Sequence, residues 1–367
     1  MTMQEYALAG RVVLPESVIE NGLVAFSDGK ITYVGTCDAY TGNASVEQVG
    51  TKLITPGFVD IHCHDAMNIL GSDDPETVAD YYLKHGTTSM LITLYRDLWP
   101  NEVHKATERV RAAMQSCKNI MGIHFEGPYM NPRYGCTVGD AEPVVPTRAD
   151  YMPFLDSGLV KQWTFAPEMP GTDEFLADIC AAGIIPAIGH SEASPEDVQR
   201  VCRHGVRIVT HIMDATGTSV TPSRYEGTRE VSFDDAVLLE NNLFYEVILD
   251  KNGIHVRHDL VRLILKTVGV DRVVGITDAC RVQPGSIDDE VNLFDGNRVD
   301  GSVMAMDNVA RNFRNLGLSL PEVFKIVSLN PATALRIEHQ IGSLAVGKNA
   351  DILVMDNDFH IERVYKA

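Results

Sequence analysis

The spacing of apolar positions changes twice along the chain. Near the N-terminus, YALAGRVVLP (6–15), LVAFSDGKITYVG (23–35) and KLITPG (52–57) are short alternating runs broken by turn residues. Asp28-Gly29, between two of them, predicts a hairpin. The C-terminal stretch IGSLAVGKNADILVMDNDFHIERVYKA (341–367) has the same texture, with Asp356-Asn357 as its turn. Two β-rich ends around a different middle predict a small β-sandwich domain assembled from residues 1–54 and 340–367.

The middle, residues 55–339, alternates between β-branched runs and amphipathic ones. Eight runs read as strands: FVDIH (58–62), TSMLITL (88–94), IMGIHFE (120–126), QWTFAP (162–167), IIPAIGH (184–190), RIVTH (207–211), LFYEVIL (243–249) and VVGITD (273–278). Between them lie helical segments such as DPETVADYYLKHG (74–86), TDEFLADICAAG (172–183), SPEDVQRVCRHG (194–205) and HDLVRLILKTVG (258–269). Several open on Asp, Ser or Thr and close on Gly, as capped helices do. Eight strand-then-helix units predict an α/β fold, a parallel (β/α)8 TIM-type barrel.

Polar residues then fall in one place. His62, His64, Glu126, His190, His211 and Asp278 all lie at or just past the C-terminal end of a predicted strand, where barrel enzymes carry their active sites. In FVDIHCHD, Asp60, His62 and His64 share one strand face and Val59, Ile61 and Cys63 the other, so two imidazoles reach the same point. A lone His-x-His is ordinarily a structural pair, and His85, His104, His204, His258, His339 and His360 carry that plain reading because they lie in helical or terminal segments. Four histidines and two carboxylates at one end of the barrel are different, because burying them together without a cation is costly. They point to a divalent metal, zinc by ligand chemistry with iron the alternative, as one or two ions.

The motifs PGFVDIHCHD, HFEGPYMNP, AIGHSEAS, VTHIMDA, NGIHV, ITDA and NPATALRIEHQIGSLAVGKNADILV occur in that order from about residue 7 to the end. In this the chain resembles the N-acetylglucosamine-6-phosphate deacetylases of the amidohydrolase superfamily. The resemblance implies metal ligands at Glu126, His190 and His211, with His62 and His64 available to a second ion. It implies Asp278 as the catalytic acid/base and His255 and Arg229 as contacts to a substrate anion, and it sets Thr137, Asp214 and Ala215 against the substrate. It also implies a homodimer. The expected reaction is hydrolysis of an amide in a small molecule: a divalent ion activates water, and Asp278 moves the proton. His124, on the strand face of Glu126, is the next candidate base. Cys63 and Cys280 flank the site and are expected to pack behind it.

Three positions depart from the family pattern. Thr137 stands in Gly135-Cys136-Thr137 where the family has a His, Asp214 replaces an Asn near the phosphate site, and Asn252 replaces an Asp. Like charges ~4 Å apart repel by roughly 4 kcal/mol at an effective dielectric of ~20, enough for Asp214 to disfavour a phosphate dianion unless Arg229 and His255 offset it, or Asp214 points away, binds a cationic group or makes a structural hydrogen bond. Two other readings follow: an amidohydrolase for a different N-acyl or cyclic amide without phosphate, and a catalytically inactive metal-binding barrel. The retained Asp278 speaks against the second.

Charge and composition narrow the partners. The formal net charge of −19 argues against nucleic acid and anionic membrane. The seven cysteines are scattered without a CxxC pair, which reads as reduced thiols in the cytoplasm. MTMQEYALAGRVV lacks the basic and apolar regions of a signal peptide, and no apolar run approaches the ~20 residues of a membrane span.

Overall fold

The computed structural model describes residues 5–135, 142–217, 225–287, 289–294, 296 and 298–367. The chain opens with β1 (Glu5–Val13), β2 (Val18–Ser27), β3 (Lys30–Thr36) and β4 (Val46–Pro56). β5 (Phe58–Cys63) follows at once, then the short pair β6 (Asp65–Ala66) and β7 (Ile69–Leu70). Next come β8 (Thr87–Tyr95), β9 (Ile120–Glu126), β10 (Val160–Phe165), β11 (Ile185–Ile188), β12 (Ile208–Val209), β13 (Phe244–Val247) and β14 (Val273–Gly275). β15 (Val291–Phe294), β16 (Arg298–Ser302), β17 (Ile352–Met355) and β18 (Ile361–Tyr365) complete the set.

Both chain ends enter one six-stranded sheet, in the order β18-β17-β4-β1-β2-β3. Its β2–β3 hairpin turns at Asp28 and Gly29, with φ of 51° and 71°. Positive φ at both central residues is what a two-residue turn needs to match the strand twist. Leu8, Val12, Val24, Phe26, Ile54, Ile352 and Val354 form a core of this unit, separate from the main one.

The eight barrel strands are all parallel, in the order β14-β13-β12-β11-β10-β9-β8-β5. The expected (β/α)8 barrel with a β unit built from both termini is therefore the observed fold. Helices follow the strands where the amphipathic segments lie. The helix Pro75–Lys84 is capped by Asp74, whose side chain accepts from Thr77 N, and Pro195–Arg203 is capped the same way by Ser194. The helix Thr172–Ala181 instead begins after Gly171, which takes a left-handed conformation. Trp163 shows how strands and helices are sealed: it is fully buried between Trp99, Phe125 and Phe175 and donates from its indole N–H to the Gly127 carbonyl at 2.8 Å. A side chain of that size contributes on the order of 2–3 kcal/mol by burial. No helix among the described residues is long and apolar enough to cross a membrane.

β14 and β5 close the barrel at its C-terminal end without a regular ladder. Asp278 N donates to the His62 carbonyl at 2.9 Å, His64 N to the Ala279 carbonyl at 3.0 Å, and Thr277 Oγ1 to Asp60 at 2.6 Å. This closure sets Asp278 beside the two histidines of β5 and its exit.

Candidate active site

A pocket of about 540 Å³ opens at that end of the barrel, with His64, Glu126, His190, His211 and Asp278 among its lining residues. His190, His211 and Asp278 follow strand ends in left-handed backbone, with φ of 47°, 25° and 45°. Such conformations cost of order 1–3 kcal/mol each and persist where surrounding structure enforces them. They turn the three side chains inward.

Ligand atoms of His62, His64, Glu126 and Asp278 lie within 4.8 Å of one another, as do those of Glu126, His190 and His211. Glu126 belongs to both groups. Its Oε1 is 2.8 Å from His190 Nε2, 2.9 Å from His211 Nε2 and 3.4 Å from His62 Nε2. Its Oε2 is 3.1 Å from His64 Nε2. Asp278 Oδ1 lies 3.2 Å from His62 Nε2 and 3.3 Å from His64 Nε2.

The other ring nitrogens fix the tautomers. His190 Nδ1 faces the Tyr134 carbonyl at 3.2 Å, His211 Nδ1 the Asp214 carbonyl at 3.1 Å and His62 Nδ1 the Glu246 carboxylate at 3.1 Å. A carbonyl or carboxylate oxygen only accepts, so each Nδ1 carries its hydrogen and each Nε2 of a neutral ring is a lone pair. Three lone pairs then converge on carboxylate oxygens. Protonating all three rings does not resolve the conflict, because His190 Nε2 and His211 Nε2 are 3.1 Å apart and two N–H groups would meet head-on. His62 Nε2 is buried without a hydrogen-bond partner among the described residues. A divalent cation satisfies the Nε2 atoms of His62, His190 and His211 and the carboxylate oxygens they face, and these imidazole and carboxylate donors suit zinc or iron.

The two carboxylates make the local potential strongly negative, so the cluster draws positive charge, whether protons on the rings or a cation. Burial pulls the His64 and His211 imidazoles down, yet Asp278 and Glu126 hold both up at about 9. Burial raises the two carboxyls, but His62 and its neighbours more than offset this, so Glu126 and Asp278 remain ionised, well below the usual carboxylate range. Asp278 is thus a carboxylate at neutral pH. His124 lies below the pocket floor with both nitrogens engaged, by Thr93 Oγ1 at 3.2 Å and Thr164 Oγ1 at 2.8 Å, and burial holds its ring well below the usual imidazole range. It does not line the pocket. Cys63 packs in the apolar core as expected. Cys280, by contrast, lines the pocket, because the β15–β16 hairpin passes behind it and Ser302 holds its backbone. Burial pushes its thiol well above the usual range, so it is no nucleophile at neutral pH.

The substrate-side residues are less gathered. Asp214 and Ala215 line the pocket. Asp214 forms no side-chain hydrogen bond or ion pair among the described residues, although its charge reaches His255. His255 is buried and donates to two acceptors, Asp250 Oδ2 from Nδ1 at 3.2 Å and the Gly301 carbonyl from Nε2 at 2.8 Å. Two acceptors require a doubly protonated ring; burial opposes this, but Asp250, Asp214 and the Gly301 carbonyl raise its pKa. Asp250, two residues upstream of Asn252, thus supplies the carboxylate that holds His255. Arg229 is not among the pocket residues: its side chain is 77% exposed and pairs with Asp235 at 2.7 Å. Thr137 lies outside the described residues. The sequence reading missed Arg96, Arg281 and Tyr95, which line the pocket, and the buried Glu246. Tyr95 stacks on His64 at 3.8 Å and donates to Asp65 Oδ2 at 2.7 Å, the same oxygen that accepts from Arg281 N.

The sequence profile of the amidohydrolase family matches residues 53–367. A protein of Lysinibacillus sphaericus named N-acetylglucosamine-6-phosphate deacetylase is 26% identical over 375 residues, covering 94% of this chain and 92% of its own. A Bacillus subtilis protein of the same name is 27% identical over 384 residues, covering 95% and 92%. Among solved structures, an N-acetyl-D-glucosamine-6-phosphate deacetylase from Mycobacterium smegmatis superposes with a TM-score of 0.82 at 26% identity, with 98% of each chain covered. One from Pasteurella multocida gives a TM-score of 0.88 at 23% identity over 99% and 98%, which speaks to the fold alone.

Proposed function

Since the chain belongs to the amidohydrolase family, a family of metal-dependent hydrolases, we propose that it removes acetate from an N-acetylated amino-sugar phosphate. The observation that carries this reading is the convergence of the His62, His190 and His211 Nε2 lone pairs on the Glu126 carboxylate. His62, His64, Glu126, His190 and His211 would hold the metal. When bound, a divalent ion polarises the amide carbonyl and lowers the pKa of water toward about 7.

The protein's own groups do the rest. Asp278, ionised and facing the pocket, takes a proton from the attacking water and delivers it to the amide nitrogen as the C–N bond breaks. Water oxygen ends on the acetate and the proton on the amine, so the step balances with no residue modified. Tyr95 stacked on His64 keeps that ring from rotating. Zinc, a homodimer and a cytoplasmic location complete the proposal. They rest on the ligand chemistry, the resemblance and the scattered thiols respectively.

One observation favours a second reading, an N-acyl substrate without phosphate. The Asp214 carboxylate lines the pocket with no side-chain partner among the described residues, while Arg229 is turned outward to Asp235. Turnover of N-acetylated sugars with and without a 6-phosphate separates the two. The shared chemistry has its own test: chelation should abolish activity and zinc restore it. Asp278→Asn should keep the metal while losing at least ~100-fold in kcat, the lower range for general acid–base catalysis. A near-normal rate in that variant would sink the role given to Asp278.

A further inference from the structure

Glu246, on β13, is fully buried inside the barrel beneath the pocket floor, in a strand whose other residues are Phe244, Tyr245 and Val247. We propose that Glu246 is a positioning residue that locks His62 in the tautomer and orientation needed to bind the divalent ion. This rests on the reading that the histidine cluster binds metal.

Both carboxylate oxygens are committed. Oε2 lies 3.1 Å from His62 Nδ1, and Oε1 accepts from Gln162 Nε2 at 2.7 Å. A carboxylate oxygen facing a ring nitrogen is an acceptor, so His62 carries a hydrogen on Nδ1, and in the neutral ring the lone pair is on Nε2. That lone pair points at Asp278 and Glu126 with no hydrogen-bond partner. The edge of the His62 ring rests on His124 at 4.5 Å and 85°, so contact on one side and Glu246 on another fix its plane. Without Glu246, the Nε2–H tautomer becomes available and directs a hydrogen at the ion.

The fold has no use for this carboxylate on its own. A buried carboxylate paired only with an amide and an imidazole costs several kcal/mol of desolvation, and an apolar residue of similar volume is often neutral or stabilising in its place. Its neighbour Gln162 is fully buried too, and Gln162 Oε1 finds no partner among the described residues, so the amide is oriented for Glu246 at a cost of its own. Two such costs converge on one nitrogen of His62. Glu246 does not line the pocket and therefore does not touch substrate. Carboxylates behind ligating histidines typically change metal affinity by 10–100-fold.

The test is a zinc titration of the metal-stripped full chain with a competing chelator, with circular dichroism as the control for folding. Glu246→Leu preserves volume and removes the acceptor; we expect it to weaken zinc binding by about 10–100-fold. The double variant with His62→Ala should bind no more weakly than His62→Ala alone. Glu246→Gln should stay within about tenfold of the parent: its amide oxygen still accepts from His62 Nδ1, and its NH2 can donate to Gln162 Oε1 once that amide flips. Unchanged affinity in Glu246→Leu overturns the proposal, and so does a Gln variant as weak as the Leu variant. If the parent chain itself takes up no zinc, it is the metal reading that fails.

Discussion

Asp250 offers a quantitative check on the layer behind the pocket wall, where His255 bonds to the pocket-lining Gly301. Its carboxylate accepts from the backbone N–H groups of Asn252, Ile254 and His255 and from the His255 ring. Burial pushes this carboxyl up, but the His255 bonds and charge more than offset it and lower it from 3.8 to about 2. A depressed acid contributes stability that is present above its unfolded value and lost as pH falls through the folded one. His255, raised above 6.5, contributes stability that is present below 6.5 and lost as pH climbs through its folded value. The two shifts describe one ion pair and are counted once. At 1.36 kcal/mol per pH unit, the Asp250 shift is worth about 2 kcal/mol.

In Asp250→Asn the amide oxygen, in the Oδ1 place, still accepts from Asn252 N and Ile254 N. The NH2, in the Oδ2 place, donates to His255 Nδ1 but gives up the bond from His255 N, and His255 becomes neutral while still donating from Nε2 to Gly301. The variant should therefore lose about 2 kcal/mol of unfolding free energy at pH 5–6, and the gap should narrow as pH rises above 6.5. Urea denaturation at a fixed saturating zinc concentration measures it, since bound metal otherwise shifts apparent stability. A gap below about 0.5 kcal/mol, or one unchanged from pH 5 to pH 9, would refute the assignment of a buried imidazolium at His255.

Two further substitutions probe the pocket. Asp214→Asn should raise kcat/KM for a 6-phosphorylated N-acetyl sugar more than for its unphosphorylated analogue, with the difference shrinking in high salt; equal effects on both would make Asp214 structural. Gly301 has φ of +59°, and a Cβ there would lie 2.4 Å from the Asp278 carbonyl and 2.7 Å from Cys280 Sγ. Gly301→Ala should therefore cost roughly 1–3 kcal/mol in stability and displace Asp278, lowering kcat with little change in KM, whereas wild-type kinetics would show that the strand end yields freely.

The barrel was legible because its determinants are local. Each of the eight runs is apolar enough to be buried on both faces, and the segments between them carry their own caps, as Asp74 and Ser194 show. His62, His64, Glu126, His190, His211 and Asp278 were legible for a related reason: a polar residue at the end of an apolar strand has few places to go in a barrel. Glu246 was visible as the one acidic residue in LFYEVIL. It could not be given a role, because it serves through Gln162 and His62, residues 84 and 184 positions away.

The sequence by itself determined the parallel barrel, the mixing of both chain ends in one β unit and the end at which the ionisable residues collect, since periodicity and strand order depend on neighbours along the chain. Tertiary structure alone decided how those residues meet. Glu126 is shared between two groups because β5, β9 and the ends of β11, β12 and β14 converge there. His255 is spent internally because Asp250 and the Gly301 carbonyl flank it, and Arg229 faces outward because Asp235 holds it. Hydrogen-bond direction and charge pairing are set by atoms within ~3 Å, and distances along the chain do not encode which atoms those are.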